Sequence, residues 1–289
     1  MQWLIDILAI PLGFIMRICY MIIPNYAAAL LLMTILTRLL MVPMTIKQQN
    51  TSAKMAGIQS KIRAAQEKYK NDRDKLNEEM QRIYAEENYS PTAGCLPMLI
   101  QLPIFFGIVG VIYKPLTYLL QLDPAKISAA TEAVKGIVNT NNTNMLELYV
   151  IQHQNTEAIR AIFPNGIDFD LNLFGFIDLS QTPSISHFTW LWLIPIAAGV
   201  AQFFSMYLSM KFSGQKPNII MSLLFPVVSV WLAFTFPGAV GLYWVYTALI
   251  AILQSWLINK FYHPSLIIAR GLISAADKRR AKFNRKEQV

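Results

Sequence analysis

One side chain in this sequence sits where its chemistry is expensive. Arg38 is the only charged residue between Asn25 and Ile46. It follows Pro24 by 14 residues and precedes Lys47 by 9. At helical rise those spacings are roughly 21 Å and 13 Å, which puts the guanidinium well inside an apolar layer. An arginine there costs about 2.5–3.5 kcal/mol on insertion scales. Snorkelling to the nearer, cytoplasmic surface is disfavoured. Side chains lean toward a helix N-terminus, and this helix is expected to start outside. An internal ion pair has no acidic partner, because none of the five long apolar runs contains Asp or Glu. Neutral polar residues remain: Thr34, four residues back on the same face, with Gln101, Gln202, Ser205, Ser222 and Gln254 in the other runs. The simplest arrangement is a wet cavity holding one fixed positive charge, and charges of this kind inside membranes are functional by default.

Such a site suits a ligand that brings its own anion, for example a short acidic stretch at the end of a polypeptide. Coulomb attraction at about 4 Å is roughly 4 kcal/mol at an effective dielectric of about 20. That is enough to recruit a polar tail and weak enough to release it. Other chemistry is not indicated. His153, His187 and His263 are scattered, whereas metal sites need clustered ligands. Cys19 and Cys95 make no disulfide framework. No GxxxxGK[ST] phosphate loop occurs. The expectation is a protein without metal or cofactor that is not an enzyme.

The elements that must position Arg38 follow from composition. Of 289 residues, 54% are hydrophobic and 15% charged, against about a quarter charged in soluble domains. A spanning helix needs about 20 apolar residues. Five segments qualify: 24–46, 91–113, 188–210, 218–236 and 238–259. The expected fold class is an all-α membrane protein. Residues 1–23 are also apolar, but carry Asp6, Arg17, Pro11 and Gly13 and leave no loop before the first span. They read as an interfacial helix.

Lys and Arg set the orientation. Region 47–90 holds nine, the 211–217 turn two and the 260–289 tail eight, while the 114–187 loop region holds four over 74 residues. The first three are therefore expected on the cytoplasmic side, and 114–187 outside. Part of 124–163 should be helical.

Within 47–90, Met55, Ile58, Ile62, Ala65 and Tyr69 recur at helical spacing, as do Leu76, Met80, Ile83 and Tyr84. Two amphipathic helices in an antiparallel hairpin are expected. The hairpin is either a self-packed solvated unit or an arm that meets an incoming chain or a ribosome, through Met55, Ile58, Ile62 and Tyr69. The tail cluster Lys278, Arg279 and Arg280 suits ribosomal RNA phosphates or anionic lipid equally.

The stretches Leu32–Gln49, Lys68–Lys70 with Asp72, Ser90–Phe106, Phe169–Ser180 and Gly241–Gln254 resemble the YidC/Oxa1/Alb3 membrane insertase family. The resemblance covers most of the chain from Asn25 to Asn259. It implies five helices around a hydrophilic groove, open to the cytoplasm and lipid and closed outside. It places the groove arginine on Arg38, its threonine on Thr34, the amide on Gln101 and an aromatic pair on Tyr243 and Trp244. It implies insertion of nascent membrane proteins into a bacterial cell membrane by a monomer, with ribosome, targeting machinery or a translocation channel as partners. Three departures stand out: no lipoprotein cysteine context surrounds Cys19, no large outer domain is expected before the first span, and the outer loop is long. The rival reading is a small-anion transporter or channel using Arg38. It is weakened by the lack of an internal repeat and by a hairpin with no evident use in that role.

Overall fold

The computed structural model describes residues 2–87, 89–138, 143–213, 219–262 and 273. The chain is an all-α membrane protein whose described sheet is one two-stranded hairpin. Its helices are α1 (Gln2–Ile22), α2 (Tyr26–Leu40), α3 (Val42–Lys68), α4 (Arg73–Glu86), α5 (Pro91–Tyr113), α6 (Pro115–Tyr118), α7 (Pro124–Ile137), α8 (Leu146–Gln152) and α9 (Glu157–Ile162). Strands β1 (Asn172–Leu173) and β2 (Ile177–Asp178) follow, then α10 (Leu193–Phe212), α11 (Ile219–Ala233) and α12 (Gly238–Tyr262).

Among the described residues, Ile5–Ile22, Trp190–Phe212 and Gly238–Phe261 are long and apolar enough to cross a membrane. The pair α2 and α3, broken between Leu40 and Val42, is a fourth if counted as one span. Ile100–Tyr113 and Ser222–Ala233 are shorter apolar helices. The first of these three is the segment expected to lie in the interface.

The chain divides into two compact units. The first comprises Met1–Leu39, Leu99–Phe203 and Leu223–Ile250. Close backbone approach holds it together. A Cβ on Gly107 would lie 2.6 Å from Leu12 Cδ1 and 3.0 Å from the Leu8 carbonyl, and one on Gly110 would lie 2.9 Å from Ile5 Cγ2. These two α5 glycines therefore let α1 pack directly on that helix, the small-residue contact that membrane helices favour.

α1 is tied further along the same side. Asp6 accepts hydrogen bonds from Lys114 Nζ at 2.8 Å and from the Tyr118 hydroxyl at 2.9 Å. Phe169 sits edge-on to both Tyr20 and Tyr26. The segment 114–187 has its own buried residues, Ile127, Val134, Leu148, Ile159 and Leu179. They come from helices α7 to α9 and the residue after β2, consistent with the expected helix in 124–163.

The second unit comprises Leu40–Met98, Phe204–Ser222 and Ala251–Val289. Its main feature is the α3–α4 hairpin. Ile58, Ile62, Ala65 and Ile83 form a buried seam, with Met55, Leu76, Met80, Tyr84 and Tyr89 packed against it. Asp72 caps α4 by accepting from the Lys75 N–H at 3.1 Å, and its carboxyl lies below the usual value because Lys75 hydrogen-bonds it. Lys61 pairs with Glu87 across the hairpin.

One boundary differs from the sequence expectation. The first span was expected to run to residue 46 before the hairpin began at 47. Instead the helix breaks at Met41, and α3 runs unbroken from Val42 to Lys68. Pro43 stands in the first turn of α3. It has no N–H for the preceding turn, and its ring clashes with the carbonyl four residues back, so it ends one helix and starts another.

Candidate functional site

Arg38 projects from α2 with its side chain partly accessible, neither sealed nor fully exposed. It makes no hydrogen bond or ion pair among the described residues, and Tyr243 lies within electrostatic range of it. Tyr243, on α12, is buried, and its hydroxyl accepts from Gln101 Nε2 of α5 at 2.9 Å. The first unit thus joins Gln101 to Tyr243 and sets Tyr243 within electrostatic range of Arg38, using three helices.

Thr34 is buried one turn from Arg38, but its hydroxyl donates to the Leu30 carbonyl at 2.6 Å. Thr37 does likewise, to Met33 and Thr34 at 3.0 Å each. Threonines on apolar helices satisfy their donors this way. Thr34 lies four residues before Arg38, on the same helix face. Gln202 is half-buried on α10. Trp244 stacks on Phe105 at 5.5 Å between ring centroids and meets Phe236 edge-on at 5.9 Å. It belongs to an aromatic cluster rather than to the polar set.

Ser222 and Gln254 belong to the second unit. The Ser222 hydroxyl faces Met210 Sδ at 3.7 Å. Gln254 Nε2 donates to Thr45 Oγ1 at 3.2 Å, and Gln49 Nε2 donates to the Ser255 carbonyl at 3.3 Å. Gln254 Oε1 is buried without a hydrogen-bond partner among the described residues. Thr45 and Gln49 form a polar pair that the sequence reading did not single out. Their i, i+4 spacing on one helix face was the available signal.

Of the expected contact residues, Ile58 and Ile62 lie in the hairpin seam with Met55 packed beside them. Burial gives them the task of joining α3 to α4. Tyr69 ends α3, with Lys68 Nζ 5.0 Å from its ring centroid. The outer face of α3 instead carries Lys47, Lys54, Lys61 and Lys68, all exposed and seven residues apart. That interval keeps them nearly aligned along the helix. Lys278, Arg279 and Arg280 lie outside the described residues. Among the described residues, no group of His, Cys, Asp and Glu has the arrangement to hold a metal.

Comparison with known proteins agrees with the motifs. The 60Kd inner membrane protein family matches residues 18–265. A membrane protein insertase YidC from Beijerinckia indica subsp. indica is 28% identical over 255 residues, which is 86% of this chain and 36% of the relative. One of the same description from Bradyrhizobium diazoefficiens is 28% identical over 246 residues, 83% of this chain and 34% of the relative. Another from Treponema denticola is 48% identical over 99 residues, 34% of this chain and 17% of the relative. The chain spans about a third of the length of the curated relatives that it matches along most of its own length. The match over residues 18–265, together with the apolar helices, establishes that this multi-pass membrane chain belongs to the 60Kd inner membrane protein family, the YidC/Oxa1 group whose motifs it carries.

Proposed function

We propose that this chain is a membrane protein insertase in a bacterial cell membrane. The observation that carries the reading is Arg38: a cation on an apolar helix, partly accessible, within electrostatic range of the Gln101-bonded Tyr243, with no carboxylate partner among the described residues. A hydrophilic, acidic end of a nascent membrane protein supplies the missing anion and is held there transiently. The attached apolar segment then moves along lipid-facing helices into the bilayer. The site acts by lowering the penalty for carrying polar groups through hydrocarbon, and no bond is made or broken. The insertase names of the relatives support the same reading.

The proposed architecture has five spans, with α1 along the outer interface. Contacts at three residues of α1 support that placement. Asp6 meets Lys114 and Tyr118, Gly13 meets Tyr118, and Tyr20 meets Phe169, all within the loop region expected outside. Asp6 and Tyr20 are 14 residues apart, roughly 21 Å of helix. A helix crossing the bilayer would carry one of them toward its middle.

The lysine row on α3 and the basic tail are proposed to meet acidic or phosphate-bearing surfaces. Ribosome, targeting machinery and anionic lipid all present these. The working form is proposed to be a monomer. The deciding experiment is reconstituted insertion of a small membrane protein with an acidic translocated tail. Arg38→Ala is expected to impair it and Arg38→Lys to retain more activity. Wild-type activity in Arg38→Ala would remove the charge-recruitment mechanism.

A further inference from the structure

The β1–β2 hairpin ends in a tip that is costly in water on two counts. Phe174 has φ +54° and Gly175 φ +77°, and the Phe176 N–H donates to the Leu173 carbonyl at 3.3 Å. Two successive residues at positive φ closed by this bond make a type I′ turn, whose first central position favours Asn, Asp or Gly. A phenylalanine there is a backbone outlier. Its ring is also 79% exposed.

The tip does not stand alone. Phe174 stacks with Phe176 at 6.4 Å, and Phe176 meets Trp190 edge-on at 5.9 Å. Trp190 precedes α10 directly, and the ridge continues into that helix as exposed Leu193, Ile196 and Val200 at helical spacing. No charged side chain interrupts these residues. The polar groups sit at the hairpin base. The Asp170 carboxylate accepts from the Asn172 N–H at 2.8 Å, and Asp178 accepts from the Ser180 N–H at 2.9 Å.

We propose that the Phe174–Phe176 tip and Trp190 insert into the boundary between headgroups and acyl chains of the phospholipid leaflet at the start of α10. Three observations select lipid over a protein partner. The ridge is continuous with the apolar face of a helix long enough to span. Aromatic rings with polar groups behind them match the membrane interface. The strained backbone holds a ring outward that a protein-packed hairpin has no need to present.

The anchor has a direct line to the functional site. Just past β2, the Leu179 and Gln181 carbonyls accept from the Ala239 N–H at 3.0 Å and the Gly238 N–H at 2.8 Å, the first turn of α12. These bonds satisfy donors that a helix start otherwise leaves open. Setting the depth of the tip therefore sets the depth of α12, and with it Tyr243. This inference does not depend on the insertase reading.

The test uses the full chain in phospholipid nanodiscs, with Cys19→Ala and Cys95→Ala as background. A nitroxide is attached in turn to Phe174→Cys, to Phe176→Cys and to Ala129→Cys, the last on the exposed face of α7. Phe176 is labelled because it avoids the strained position. Relaxation by oxygen, which concentrates in the bilayer, is compared with relaxation by a water-soluble nickel chelate. The oxygen-to-nickel ratio at 174 and 176 is expected to exceed that at 129 by about threefold or more, as for side chains buried at the acyl boundary. Ratios equal to that at 129 would place the tip in water and overturn the proposal. Labels closed to both reagents would show a protein covering the ridge, a second copy or another chain, and would overturn it equally.

Discussion

Arg38 and Glu147 are opposite charges in the same compact unit, and the protein treats them differently. Glu147 is buried in α8, and its two carboxylate oxygens accept from the Thr117 N–H at 3.0 Å and the Thr117 hydroxyl at 2.6 Å. These are donors of the short helix α6. Burial raises its carboxyl above the usual value, and the Thr117 bonds and Lys114 only partly oppose this. Arg38 has no such answer among the described residues. A buried charge met by its own chain is a structural joint, because removing it strands the donors it served. A charge left without a partner among the described residues is open to a group from outside them, and the proposed recruitment of an acidic tail uses that opening.

The sharpest way to break this contrast is at Arg38. Arg38→Ala is expected to lower insertion of acidic-tailed substrates by about tenfold or more, the equivalent of about 1.4 kcal/mol of lost recruitment. The melting temperature should hardly move, because no partner is stranded. Protease protection in proteoliposomes and thermal unfolding of the same sample measure both. Glu147→Ala should show the reverse pattern, a loss of about 1–3 kcal/mol in stability with insertion retained below the new melting point. Glu147→Gln should cost less, since its amide oxygen can still accept from Thr117.

The third expectation concerns pH. Because the folded-state pKa of Glu147 is raised, folding favours its protonated form. The stabilisation is complete below the ordinary glutamate value of 4.5 and is lost as pH rises through the raised value. Unfolding followed across that window should show stability falling with pH, and Glu147→Gln should flatten the slope. An unchanged slope in that variant would assign the titration elsewhere. The smallest effect is expected from Tyr243→Phe. It leaves the Gln101 amide without its acceptor and costs about 1 kcal/mol. A reduced rate of insertion at normal stability would place this pair with Arg38; lowered stability with normal insertion would place it with Glu147.

Much of this was legible in the residues. Arg38 stood out because charge in an apolar run needs no fold to be recognised. The α3–α4 seam followed from three- and four-residue spacing, which put Ile58, Ile62, Ala65 and Ile83 on facing stripes. The helix break at Met41 was missed although Pro43 signalled it, because hydropathy continued to residue 46. Glu147 was missed for a different reason. Its partner Thr117 lies 30 residues earlier, and no local period links them. The buried residues around it come from short helices that are distant in sequence and unreadable one at a time. The back-bonding of Thr34 to Leu30 was equally hidden, since spacing gives a face but not the direction of a hydroxyl.

The glycine contacts between α1 and α5 bear on permeability. Under the proposed function, a wet path for polar chains would put the ion gradient of the membrane at risk. Where Gly107 meets Leu8 and Leu12, the gap does not admit a methyl group, and a space that small holds no file of water along which protons or sodium could pass. At these positions the α1–α5 seam is closed to a file of water, whatever polar path lies elsewhere.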